Sequence, residues 1–356
     1  MRNFNNLLVT GGAGFIGSNL VRTLLTKTGF SGRIINLDKL TYAGNAASLS
    51  DVAAAFPDRY VFVQGDICDA SLVARLFEEY KLDAVCHLAA ESHVDRSIEG
   101  PGAFIQTNIV GTFTLLDAAR KAWNGDYEGK LFHHVSTDEV FGSLGETGYF
   151  FEDTPYNPRS PYSASKASSD HLVNSYFHTY GFPVTMTNCS NNYGPYQFPE
   201  KLIPVMIENM LQKKPLPVYG DGKNIRDWLF VEDHNTAVWA VMTGGRLGET
   251  YNIGGENEWE NIRLVNTLCD VVAGLTGESA ETYKALITYV KDRPGHDQRY
   301  AINCDKLKNQ LDWRQSVTFE EGLKQTVAWY LNNREWIESI KSGEYRNWME
   351  LNYSRR

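Results

Sequence analysis

The segment Leu7-Leu-Val-Thr10 runs directly into Gly11-Gly12-Ala13-Gly14-Phe15-Ile16-Gly17, and a strand that turns through spaced glycines into a helix admits few folds. Gly11 permits the tight turn, Gly14 lets a pyrophosphate approach the backbone, and Gly17 lets helix and sheet pack closely. The spacing is GxxGxxG, not GxGxxG, so the motif draws its weight from context. Asp38 supplies that context, about 20 residues on and at the end of the second apolar run, where a carboxylate accepts hydrogen bonds from adenosine ribose hydroxyls. The same charge repels a 2′-phosphate and favours NAD over NADP, although Lys39 beside it works the other way.

The first half alternates short apolar runs with amphipathic segments, as βα units do. Strands are expected at Asn6 to Thr10, Arg33 to Leu37, Tyr60 to Gln64, Ala84 to His87, Lys130 to Ser136 and Val184 to Cys189. Their unbroken apolar character suits a parallel sheet buried on both faces. Helices are expected at Phe15 to Thr28, Ala70 to Tyr80, Pro101 to Trp123 and Pro161 to Tyr180, the last two opening on proline. After Cys189 the pattern turns irregular. Short strands are expected at Val218–Tyr219, Asp227 to Val231, Thr250 to Ile253 and near Ile287 to Val290. Helices are expected near Glu200 to Gln212, Asp233 to Met242, Ile262 to Leu275 and, closing the chain, Phe319 to Asn332. The fold class is therefore α/β, a Rossmann-type parallel sheet flanked by helices with a smaller C-terminal α/β substrate-binding lobe. Residues 1–190 would form mainly the nucleotide-binding part, its sheet completed by segments near 225–255, and residues 191–356 mainly the second lobe.

At 356 residues and 42% hydrophobic composition the chain can bury a large core. Its net charge of −9, with no concentrated basic stretch, argues against nucleic acid. Five cysteines, none in a CxxC pair, read as reduced thiols, and no stretch of roughly 18 apolar residues suggests a membrane span. A cytoplasmic location is the expectation. His133-His134 have no ligand spacing with other histidines or cysteines, and no catalytic metal is expected.

Chemistry is carried by Ser136-Thr137-Asp138-Glu139-Val140 and Tyr162-Ser-Ala-Ser-Lys166. Tyr162 and Lys166 lie one helical turn apart, so the ammonium is expected to hold a phenolate near neutral pH and to reach nicotinamide ribose hydroxyls. Thr137 can share the substrate hydroxyl. A simple alcohol dehydrogenase needs nothing more, whereas adjacent Asp138 and Glu139 raise the question of an elimination, one group acting as acid and the other as base. The plainer alternatives are a solvated tyrosine and lysine, and a helix cap or solvated turn at Asp138-Glu139. Gly65-Asp66-Ile67 ends the third strand near an adenine, with a strand-end cap an equal reading for Asp66. Leu88-Ala89-Ala90 ends the fourth, along the cofactor. In the second half Asn191, Lys201, Arg226, Asn261, Arg293 and His296 suit a phosphorylated sugar, Arg226 and Arg293 as bidentate phosphate ligands.

These pieces resemble the extended short-chain dehydrogenase/reductases, and within them the nucleotide-sugar 4,6-dehydratases. The resemblance covers nearly the whole chain. It rests on Thr10-Gly-Gly-Ala-Gly-Phe-Ile-Gly-Ser-Asn19, Leu37-Asp-Lys-Leu-Thr-Tyr-Ala-Gly-Asn45, Ala89-Ala-Glu-Ser-His93, His134-Val-Ser-Thr-Asp-Glu-Val140 and Ser160-Pro-Tyr-Ser-Ala-Ser-Lys166. Asn188-Cys-Ser-Asn-Asn-Tyr-Gly-Pro195, Gly222-Lys-Asn-Ile-Arg-Asp-Trp228 and Asp292-Arg-Pro-Gly-His-Asp297 complete it. The passage from Phe141 to Thr154 is shorter than in some relatives.

The resemblance implies a redox-neutral cycle on a nucleotide-activated glucose, closer to the thymidine enzymes than to those acting on GDP-mannose. Tyr162 would take the C4 hydroxyl proton as that carbon is oxidised, Glu139 the C5 proton, and Asp138 would protonate the departing C6 hydroxyl. It implies NAD contacts from Gly11, Phe15, Ile16, Asp38, Lys39, Asp66, Ile67, Leu88, Ser92, Thr107, Tyr162 and Lys166, with Asn192 near the nicotinamide. Substrate contacts would come from Glu139, Asn191, Lys201, Leu202, Pro217, Tyr219, Arg226, Asn261, Arg293 and His296, with Ser92 and Thr137 beside them. A homodimer joined through Pro101 to Trp123 and Pro161 to Tyr180 is also implied. The same dehydration of UDP-glucose or GDP-mannose, a 4-epimerase that has no need of the two carboxylates, and a non-catalytic NAD-binding scaffold are the competing readings.

Overall fold

The computed structural model describes residues 1–292 and 296–340. Six βα strands form as the apolar runs dictate: β1 (Asn6–Thr10), β2 (Arg33–Asp38), β3 (Tyr60–Gln64), β4 (Ala84–His87), β5 (Leu131–Thr137) and β6 (Val184–Cys189). The later strands are β7 (Asn191–Tyr193), β8 (Leu216–Tyr219), β9 (Ile225–Phe230), β10 (Thr250–Ile253), β11 (Glu258–Glu260) and β12 (Ile287–Val290). Seven of them make one parallel sheet in the order β3-β2-β1-β4-β5-β6-β10. The chain leaves β1 toward β2 and β3, then returns to the other side of β1 at β4. That reversal places a crevice at the carboxyl ends of β1 and β4, where ligands bind in open α/β sheets.

Both faces of this sheet are covered. One core packs Leu20, Leu24, Val238, Val241 and Tyr251 against Leu7 and Val9; the other packs Leu76, Leu115, Leu116 and Phe182 against Leu8, Ile35 and Val85. The first core includes the helix Val231–Gly244, so later chain covers the early strands. A third core is built around Ile203, Leu264, Leu268, Leu323 and Tyr330. There β9 lies between antiparallel β11 and parallel β7, and β8 pairs in parallel with β12. Of the segments expected to complete the large sheet, Thr250–Ile253 does so, while Ile225–Phe230 sits in the three-stranded sheet instead.

The expected helix Pro101 to Trp123 is not uniformly α. It opens as α over Pro101–Phe104, widens to a π-helix over Ile105–Gly111 and resumes as α over Thr112–Trp123. Two contacts hold the widened turn. Asn108 accepts from the Glu91 amide at 2.8 Å and donates to the Glu91 carbonyl at 3.0 Å and to Ser165 Oγ at 2.8 Å. Gly111 sits so close to Ile67 that a Cβ there would lie 2.4 Å from its Cδ1. Asn191–Tyr193, which reads as a turn, forms β7 because its backbone pairs with β9. Helices at Ser50–Ala55, Val94–Glu99 and Asp305–Leu311 have too few turns to show a period, and Phe319–Asn332 is followed by Arg334–Ile340. No helix among the described residues is long and apolar enough to cross a membrane, and none of their His, Cys, Asp and Glu residues form a metal-holding group.

Candidate active site

A cavity of about 320 Å³ opens along the carboxyl edge of the sheet and runs from the glycine turn to the second lobe. That volume is in the range of small-ligand sites. Gly11, Gly14, Phe15, Ile16, Gly17, Asp38, Lys39, Asp66, Ile67, Leu88, Ala89, Ser92, Thr107 and Asn192 all line it, as do Thr137, Asp138, Glu139, Tyr162 and Lys166. The cofactor and chemistry sets expected from sequence therefore face one space.

The residues at the near end fit a dinucleotide. Gly11 has φ +73° and a Cβ on it would lie 2.8 Å from Ala89 Cα; one on Gly17 would lie 2.2 Å from the Gly11 carbonyl oxygen. Gly14 precedes the helix Phe15–Thr26, and no side chain caps that helix start, which turns its first N–H groups and positive dipole end to the cavity. The buried Asp38 carboxylate is fixed by the amides of Ala13 (2.9 Å) and Leu40 (2.8 Å) and keeps further lone pairs for ribose hydroxyls. Lys39 is paired with Asp66 at 2.8 Å. Its charge is thereby committed, and the objection it raised to NAD loses force. Asp66 also accepts from the Cys68 amide at 2.9 Å, so it caps the strand end while lining the cavity.

At the far end, Ser160 and Ser163 form a capping box and Pro161 opens the helix Pro161–Tyr180. This fixes Tyr162 and Lys166 at its first turns, 8% and 5% exposed. Thr137 ends β5 and caps a 3₁₀ turn, Asp138–Phe141. Asp138-Glu139 is thus a helix start, as one reading had it, yet Asp138 is 1% exposed and is no solvated turn. Burial, then the charges of Glu139 and Asp227, hold the Asp138 carboxyl protonated well above the usual carboxylate range, with Arg226 opposing. Burial, Glu139 and Cys189 push the Tyr162 hydroxyl well above its ordinary value, and a Thr137 hydrogen bond acts downward. Lys166 donates to the Val135 carbonyl at 2.9 Å. Its ammonium is directed to the strand, not to the phenol.

The second-half residues divide. Asn191 and Lys201 line the cavity, Lys201 donating to the Ser92 carbonyl at 3.2 Å, and Leu202 starts the helix that follows. Arg226 is buried, with Nη1 on the Ile225 carbonyl at 2.7 Å, Nη2 on the Asp297 carbonyl at 2.9 Å, and its guanidinium 4.3 Å from the Tyr300 ring. Pro217 and Tyr219 on β8, His296 against the Tyr219 ring, and Asn261 at the start of the helix Asn261–Thr276 lie outside the cavity lining. Asn261 Oδ1 is buried without a hydrogen-bond partner among the described residues. Arg293 lies outside the described residues. Sequence reading missed Glu91, Glu200, Gln197 and Ser190 in the lining, and Asp227 and Tyr300 beside the two carboxylates. The Asn-Asn-Tyr-Gly-Pro run flanking Ser190 was the available signal for that wall.

A doubly wound nucleotide fold that carries a tyrosine, a lysine and a buried acid beside a second carboxylate defines a class of sugar-nucleotide-modifying enzymes. The GDP-mannose 4,6 dehydratase family model matches residues 8–326, and the chain belongs to that family. It is 57% identical to the dTDP-glucose 4,6-dehydratase of Neisseria meningitidis, covering 96% of this chain and 97% of the relative. It is 55% identical to dTDP-glucose 4,6-dehydratase 1 of Escherichia coli, covering 98% and 99%. Among solved structures, DesIV, the dTDP-glucose 4,6-dehydratase of Streptomyces venezuelae crystallised with NAD bound, superposes with a TM-score of 0.87 at 47% identity, over 94% of this chain and all of that one.

Proposed function

We propose that the protein is a dTDP-glucose 4,6-dehydratase that converts dTDP-glucose to dTDP-4-keto-6-deoxyglucose and water. The observation that carries this reading is the buried Asp138 beside Glu139, in the same cavity as Tyr162, with burial and the Glu139 charge pushing its carboxyl toward the protonated form. A 4-epimerase has no use for that pair. NAD held in the crevice would supply a two-electron acceptor able to take up and give back a hydride. Tyr162, backed by Thr137 and acting as the phenolate, receives the C4 hydroxyl proton as C4 becomes a ketone; the positive charges of Lys166 and of bound NAD would favour that form against burial. The ketone acidifies the C5 proton, which Glu139 removes. Asp138 gives its proton to the C6 hydroxyl, which departs as water, and return of the hydride to C6 is matched by return of a proton to C5, leaving the 4-keto-6-deoxy sugar. Lys166 holds ribose hydroxyls, and the cofactor contacts are those that line the near end of the cavity. Asn191, Lys201, Leu202, Pro217, Tyr219, Arg226, Asn261, Arg293 and His296 would hold the nucleotide and sugar.

Incubation with dTDP-glucose, then mass spectrometry, tests the assignment. Loss of one water is expected; an unchanged mass with inverted C4 would replace this reading with epimerisation, and no turnover on dTDP-, UDP- or GDP-sugars would leave a binding scaffold.

The protein acts as a homodimer in this reading. Ile105, Val110 and Phe113 stand 53%, 36% and 47% exposed along the Pro101–Trp123 segment, an apolar stripe that a second copy would cover. Phe113→Asp should yield monomers in analytical ultracentrifugation, and a monomeric parent protein would refute the interface. The five cysteines are free thiols, which suits a cytoplasmic enzyme.

A further inference from the structure

Tyr162, Lys166 and Asp170 recur every four residues on Pro161–Tyr180, so the three side chains stack along one helix face. The third has no part in the chemistry described above. Asp170 is fully buried and receives three donors: His134 Nε2 at 3.0 Å, Ser136 Oγ at 2.7 Å and Tyr156 OH at 3.0 Å. His134 Nδ1 is buried with no hydrogen-bond partner among the described residues, which assigns the ring proton to Nε2, because a buried N–H without an acceptor is the costlier arrangement. The imidazole therefore donates to Asp170 and stays neutral, burial pushing it down to about 4. Lys166 Nζ lies 3.5 Å from the same Nε2. One neutral ring thus separates ammonium from carboxylate.

The surroundings of Lys166 leave that carboxylate as its partner in charge. Burial is the largest influence on the ammonium and favours loss of its proton; Asp170 and Cys189 oppose it. Cys189, from β6, is pushed up to about 12 and remains a neutral thiol. His87 and His134, from β4 and β5, are held neutral by burial, and burial likewise pushes the Tyr162 hydroxyl toward its neutral form. Of the two groups that favour the ammonium, Asp170 and Cys189, Asp170 is the ionised one.

We propose that Asp170 is the positioning residue of this site, the buried counter-ion that keeps the Lys166 ammonium charged and in place across the His134 ring. The inference rests on the proposed roles of Tyr162 and Lys166. Asp170→Asn keeps the shape of the side chain and removes its charge. Lys166 then loses its proton at lower pH, so the alkaline limb of the kcat profile on dTDP-glucose moves toward neutrality, by about 1–3 pH units. Asp170→Glu should retain the limb. Tyr156→Phe, which removes one hydrogen bond to the carboxylate but leaves its charge, should leave the profile unmoved. Superimposable profiles for Asp170→Asn and the parent protein, or equal shifts in Asp170→Asn and Tyr156→Phe, would mean a packing role and overturn the inference. Tyr162→Phe separates the two levels: if it is fully active, the reading of the site fails; if it is inactive while Asp170→Asn keeps the parent profile, only the role of Asp170 fails. Should Asp170→Asn not fold, the lysine ¹⁵Nζ signal of the parent protein decides. An ammonium that persists into the alkaline range supports the counter-ion, and one that titrates below neutrality overturns it.

Discussion

Replacing Tyr162 by phenylalanine should lower kcat about 10²- to 10⁴-fold, the usual weight of a general base, while NAD stays bound. The ring packs edge-on against Phe104, with centroids 6.3 Å apart, and that contact survives the change. Only the hydroxyl is lost, with its Thr137 hydrogen bond, at a cost to stability of about 0.5–1.5 kcal/mol. No reduced nicotinamide should appear when dTDP-glucose is mixed with the variant, because the first oxidation has nowhere to send the C4 hydroxyl proton. Rapid-mixing absorbance of the reduced cofactor and a thermal melt check both halves. Reduction at the parent rate in a folded variant would remove Tyr162 from the mechanism.

Asp138→Asn and Glu139→Gln should each lower turnover by a similar factor and yet stop at different points. Asparagine matches the shape of the protonated carboxyl that burial and the Glu139 and Asp227 charges maintain, so the site should persist. It has no proton to give to the C6 hydroxyl. Reduced nicotinamide should accumulate and solvent deuterium should still enter C5, but no water should leave the sugar. In Glu139→Gln the oxidation should again proceed, this time without C5 exchange, since the group that takes that proton is gone. Isotope ratios in sugar recovered after one turnover distinguish the two. Dehydrated product at the parent rate from Asp138→Asn, or full C5 exchange in Glu139→Gln, would reverse the corresponding assignment.

How far the sequence carried these assignments depends on what kind of contact each residue makes. The glycine turn, Asp38 and the six βα strands were legible because their requirements are local: backbone space, strand ends and unbroken apolar runs. β5 was found although it reads Leu131-Phe-His-His-Val-Ser-Thr137, and all seven of its residues are buried. Its polar half is tolerable inside only because His133 meets Thr185 and His134 and Ser136 meet Asp170. Asp170 itself escaped notice, since nothing in the helix sequence announces a carboxylate facing inward under the lysine. The proton affinities were illegible for the same reason. Burial and then Glu139 push Asp138 toward its protonated form, helped by Asp227, 89 residues away, and burial works against the phenolate that the helical spacing of Tyr162 suggests. The π-helical widening at Ile105–Gly111 could not be read from a period that looks helical throughout; a side chain of the Glu91 loop's partner Asn108 and a close approach to Ile67 impose it.

The influence of Arg226 and Asp227 on Asp138 ties the lobes together in a particular way. Both residues stand on β9, outside the sheet that carries the glycine turn, yet they help set whether the acid holds its proton. Cofactor capture is thus decided by one sheet and readiness to eliminate by two. Changes on β9 can therefore retune the elimination step, which gives such a scaffold a route to new sugar products without rebuilding its dinucleotide cradle.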